Sequence, residues 1–183
     1  AVALAVGRTV AGAADGPPGG VWLARLETAV TSNDVIDALI AAVDVGGEGA
    51  LLERLRSAAT VVVLDNCEHV LDAAADLVTR LLDAAPELRI LCTTQVPLDL
   101  EGEALVELEP LGLSDAVELF TRRASAQRVG RARVEGDGAL RELCASLDGL
   151  PLAIELAAAR TRTLSVEEIH RRLDDRFNVL SDP

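Results

Sequence analysis

The chain has 183 residues and a formal net charge of −13, with half of its residues apolar and 26% charged. That length and balance suit a folded domain with a smaller appendage rather than a disordered chain, and no run reaches the roughly 18 uninterrupted apolar residues of a membrane helix. All 17 basic residues are Arg, acidic residues are spread through the chain, and there are two Phe, one Trp and no Tyr. This argues against direct nucleic-acid contact by this segment.

The apolar, Ala-rich start reads as a buried helix over residues 1–13, ending near Gly12; it has no basic region before it, so neither a signal peptide nor an anchor is expected. Asp15–Gly20 is a turn by composition, and Val21–Leu26 reads as a strand. A helix is expected over about Asn33–Val43, capped by Ser32 or Asn33, and another over about Ala50–Ala58 after the turn Gly46–Gly49. Val61, Val62, Val63 and Leu64 predict a strand buried on both faces, as in a parallel sheet covered by helices. Asp65 follows at the carboxyl end, where open α/β sheets bind ligands. This is the form of a Walker B segment, whose Asp holds Mg²⁺ beside nucleotide phosphates.

Glu68–Ala85 predicts a long amphipathic helix with Val70, Leu71, Leu77, Leu81 and Leu82 inward, stopped by Pro86. Arg89–Thr94 reads as a second buried strand whose polar end, Thr93-Thr94-Gln95, reaches the same edge as Asp65, and Leu105–Leu108 reads as a last short strand. Alternating strands and helices at these spacings are the signature of parallel βαβ units. Beyond Pro110 the expectations are helical: Ser114–Gln127, a loop at Val129–Gly138, Ala139–Leu147, Leu152–Arg160 launched by Pro151, and a capping box opening at Ser165 with a Leu164–Ile169 staple. Domains are therefore expected at 1–110 and 111–183.

Cys67, Cys92 and Cys144 stand at unrelated spacings without C-x-x-C and read as reduced thiols of a cytoplasmic protein. Cys67 and His69 flank Glu68, a set well short of the four ligands of a structural zinc site. The glycine clusters are not phosphate loops, and Gly7-Arg8-Thr9 lacks both the first glycine and the lysine of one. No nucleophile elbow or dinucleotide fingerprint supports a metabolic α/β enzyme.

Four runs in order, V-V-V-L-D-N-C-E-H-V at 61–70, L-C-T-T-Q-V-P-L at 91–98, L-D-G-L-P-L-A-I-E-L-A-A-A-R at 147–160 and R-L-D-D-R-F at 172–177, closely resemble the nucleotide-binding module of large LuxR-type and antibiotic-regulatory-type bacterial transcriptional regulators. These belong to the STAND class of P-loop NTPases, relatives of NB-ARC domains. The resemblance implies an α/β P-loop NTPase-like parallel sheet followed by a small all-α domain, with ATP or ADP and Mg²⁺ held between them. By the same resemblance, Asp65 is the Mg²⁺-associated Walker B acid and Thr94 and Gln95 stand at the sensor position after the next strand. Pro151 is the helical-domain proline that packs on the nucleotide. Glu68 is read first as a helix-start acid facing the dipole, with polarisation of a catalytic water as the alternative role.

The sequence departs from the family in two places. It has no lysine and no strand and Walker A loop ahead of residues 1–13, and Gln95 replaces the usual sensor Arg, trading a charge-assisted contact for a neutral one. Asn66 also stands where many NTPases carry a second acid. The expectation is a regulatory ATP/ADP switch that is at most a slow ATPase, truncated at its start and inactive as given. The alternative is a nucleotide-independent scaffold. Expected partners are flanking DNA-binding or cyclase-type and sensor domains, with self-association through exposed sheet edges, and no membrane.

Overall fold

The computed structural model describes residues 2–126 and 137–181, Asp137 and the last eight of these by their backbone alone. The chain divides into two compact units, Ala1–Leu105 and Val106–Pro183. In order, the first contains α1 (Val2–Ala11), β1 (Val21–Arg25), α2 (Ser32–Val43), α3 (Glu48–Arg56), β2 (Thr60–Asp65), α4 (Leu71–Ala84) and β3 (Leu88–Cys92).

The three strands form one parallel sheet in the order β1-β2-β3. Val21 pairs with Val61 and Arg25 with Asp65 on one side of β2, and Thr60 pairs with Leu88 and Leu64 with Cys92 on the other. Because sheet order equals chain order, both crossovers run the same way, and α2, α3 and α4 share one core with Val62 and Leu64. Leu26, Leu39, Leu51, Leu55, Leu77 and Leu81 fill that core, each fully or almost fully buried. On the opposite face α1 approaches through Gly7, where an added Cβ would lie 3.5 Å from Val21 Cγ1 and 3.7 Å from Val63 Cγ2. The run of four aliphatics is therefore needed: alternate residues of β2 serve opposite helical layers.

Several expectations are corrected. Helix α2 is capped by Thr31 rather than by Ser32 or Asn33: the Thr31 side chain accepts from the Asp34 N–H, while Asp34 Oδ2 accepts from the Thr31 N–H at 2.7 Å. This reciprocal box sets the start one residue earlier. Helix α3 begins at Glu48, before Ala50, and ends at Arg56. Helix α4 begins at Leu71 and not at Glu68, because Asn66 takes a left-handed conformation (φ 69°) and residues up to Val70 form a turn. Leu82 points outward, 42% exposed, since the buried stripe of α4 runs through Ala74, Leu77, Val78 and Leu81. Leu105–Leu108 is not a strand; Leu105, Val106 and Leu108 are exposed, and no neighbouring strand supplies ladder partners.

The second unit holds α5 (Leu113–Ala126), α6 (Asp137–Ser146), α7 (Pro151–Arg160) and α8 (Val166–Ser181). They pack around Phe120, Leu143 and Ile154. Asp148 and Gly149 both have positive φ and end the α6 segment, and the Gly149 carbonyl accepts from the Leu111 N–H at 2.9 Å. An added Cβ at Gly149 would collide with the Leu111 carbonyl, so the backbone approach requires glycine there. Pro151 occupies the first turn of α7, and Ser165 Oγ accepts from the Glu168 N–H at 3.2 Å to start α8. The Glu168 carboxylate itself accepts from Arg172 at 2.7 Å. The loop expected over Val129–Gly138 falls largely outside the described residues.

Candidate functional site at the carboxyl edge of the sheet

Strand β2 ends at Asp65 and β3 at Cys92, so the residues that follow them meet at one edge. Thr93 ties the two loops together. Its hydroxyl donates to Asp65 Oδ1 at 2.6 Å and accepts from the Asn66 N–H at 2.9 Å. The Thr93 N–H donates to the Leu64 carbonyl and the Thr93 carbonyl accepts from the Cys67 N–H, both at 2.9 Å. From β1, the Leu26 N–H donates to the Asp65 carbonyl at 2.9 Å. Asp65 is thus half-buried with one carboxylate oxygen fixed, leaving Oδ2 as the oxygen that can meet a cation or water.

The left-handed turn at Asn66 carries the chain back across the strand end. Asn66 Nδ2 donates to Glu68 Oε1 at 3.3 Å, so Glu68 belongs to this turn and not to the helix start. His69 Nε2 lies 2.7 Å from the Leu26 carbonyl, which only accepts, so Nε2 carries the proton. Thr94 is held locally, its hydroxyl donating to the Val96 carbonyl at 2.8 Å. Gln95 is exposed. Pro151 lies in the second unit.

A hydrogen bond with Cys92, with burial behind it, pushes the Cys67 thiol well above the ordinary thiol range; the same bond, opposed by burial, holds Cys92 below it. Sequence reasoning passed over two features here. It assigned Thr94 and Gln95 but not Thr93, although Thr93 is the first polar residue after the apolar run of β3. It also treated Cys67 and Cys92 as unrelated, because their meeting depends on the register of β2 with β3. Among the described residues, no group of three or more His, Cys, Asp or Glu side chains is arranged to hold a metal ion.

No protein-family profile matches the chain. It is 48% identical over 123 residues to a protein of Mycobacterium tuberculosis whose name proposes an HTH-type transcriptional regulator; the match takes in 66% of this chain and 14% of that protein. A second M. tuberculosis protein, uncharacterized by name, is 46% identical over 134 residues, or 72% of this chain and 34% of that one. The regulatory protein AfsR of Streptomyces griseus is 36% identical over 126 residues, 67% of this chain and 12% of AfsR. The chain is therefore similar to parts of bacterial transcriptional regulators and spans about a seventh of the length of the first of them. No described helix is long and apolar enough to cross a membrane.

Proposed function

We propose that this chain is the nucleotide-binding switch module of a bacterial transcriptional regulator, with the sheet edge at Asp65 receiving ATP or ADP with Mg²⁺. The observation that carries the reading is Asp65 itself, an acid at the carboxyl end of the central strand of a parallel sheet, with Oδ1 pinned by Thr93. A single carboxylate suits Mg²⁺, which keeps several waters and takes other oxygens from phosphate. The named regulators among its relatives support the regulatory setting.

Hydrolysis in this reading is slow or absent. Neither Asn66 nor Cys67, the two residues after Asp65, supplies a second carboxylate, and Glu68 is engaged by the Asn66 amide. With no lysine in the chain, phosphate charge is met by Mg²⁺, by Arg or by parts of the regulator outside these residues. Gln95 and the lysine-free composition favour one competing reading, a scaffold that no longer depends on nucleotide.

Titration of fluorescent ADP and ATP into a full-length regulator carrying this segment, with and without Asp65→Ala, separates the two. The switch predicts Mg²⁺-dependent binding that weakens at least about tenfold in the variant, a loss of about 1.4 kcal/mol, and a difference that disappears in EDTA. Absence of binding by the wild-type regulator sinks the switch and leaves the scaffold.

A further inference from the structure

Cys67 and Cys92 come from different segments and are brought together by the sheet. Cys92 closes β3 beside Leu64 in the parallel ladder. Cys67, turned back by the left-handed Asn66, donates its N–H to the carbonyl of Thr93, the residue next to Cys92, at 2.9 Å. Its sulfur lies 3.6 Å from the carbonyl oxygen of Leu64, the ladder partner of Cys92. Both side chains pack in one core. Leu64 and Cys92 stand side by side on adjacent strands, about 4.8 Å apart, so a Cys67 sulfur held at the Leu64 carbonyl is brought close to Cys92. Cys67 is fully buried, whereas Cys92 keeps partial contact with solvent.

We propose that Cys67 and Cys92 form a redox-active dithiol, a modification site at which a hydroperoxide converts the pair to an intramolecular disulfide. The Cys92 sulfur, as thiolate, attacks the terminal oxygen of the peroxide. The O–O bond breaks, the departing hydroxide takes a proton to leave as water, and Cys92 becomes a sulfenic acid. The Cys67 sulfur then attacks the Cys92 sulfur; the S–S bond forms, the S–O bond breaks, and the hydroxide leaves as water with the Cys67 proton. Two thiols and one hydrogen peroxide give one disulfide and two waters, the dithiol losing the two electrons that the peroxide gains. Cys92 is the entry point because it is the solvent-reached member, and Cys67 is the resolving thiol.

The test is peptide mapping of the folded 183-residue chain after hydrogen peroxide, with free thiols alkylated in denaturant and digestion kept non-reducing. The expected product is one cross-linked peptide pair containing Cys67 and Cys92, lighter by two hydrogens and restored by dithiothreitol, with Cys144 alkylated. Cys67→Ser is expected to stop at a Cys92 sulfenic acid trapped by dimedone, and Cys92→Ser to give no intramolecular cross-link, circular dichroism checking that each variant is folded. Recovery of both wild-type thiols unmodified overturns the proposal, as does a cross-link that uses Cys144 or joins two chains; this wild-type result decides the matter even where a variant fails to fold.

Discussion

Thr93 shows how much one hydroxyl can do when it both donates and accepts. Replacing it with Val keeps the shape but leaves the half-buried Asn66 N–H and Asp65 Oδ1 without their partner, an expected loss of about 1–3 kcal/mol in urea unfolding followed by fluorescence. Thr93→Ser keeps the hydroxyl and should stay close to wild type. At Gly149 an alanine would need a positive φ and would collide with the Leu111 carbonyl. Gly149→Ala should destabilise the helical unit by more than about 1 kcal/mol, read by thermal melting of helical circular dichroism. Of the site, Asp65 was legible because an acid after four aliphatics is a local pattern. The role of Thr93 was not, because it depends on which residues of β2 and β3 lie side by side.

Among the elements, the start of α2 gives the clearest energetic handle. Thr31→Ala should cost about 1 kcal/mol by removing the cap. The box is also pH-dependent. Hydrogen bonds from the Val30 and Thr31 N–H groups, then from the Thr31 hydroxyl, hold the Asp34 carboxyl below its usual value. The depressed folded value means that this contribution is present above the unfolded pKa of about 3.9 and is lost as pH falls through the folded one. Acid titration of Asp34→Asn should lack that part of the acid-induced loss seen in wild type. Most helices were readable from apolar spacing, and β2 from its continuous aliphatics. Boundaries failed where backbone chemistry overrode pattern: Thr31 captured the α2 start, and left-handed Asn66 delayed α4 past Glu68. The Leu105–Leu108 alternation looked like a strand but has no neighbour to complete a ladder.

At the scale of the molecule, the two units are built from different kinds of contact. The helical unit depends mainly on packing between helices one removed in sequence, α5 against α7 and α6 against α8, with α5 also against α6. The first unit depends on a sheet with no hairpin, in which every strand pairs with one separated from it by at least a whole helix. Closing such distant pairs costs chain entropy before any contact rewards it, which slows folding. The chain's single tryptophan, Trp22, lies in β1 with Arg54 stacked 5.8 Å from its ring centroid, so it reports on the sheet unit alone. On dilution from denaturant, tryptophan fluorescence should therefore recover more slowly than total helicity; equal rates would mean the sheet does not limit folding. During synthesis β1 cannot pair with β2 until α2, α3 and β2 itself have left the ribosome, and β2 remains without β3 until α4 has followed. The edge that carries Asp65 and Thr93 is thus completed only after the last strand of the sheet has been made.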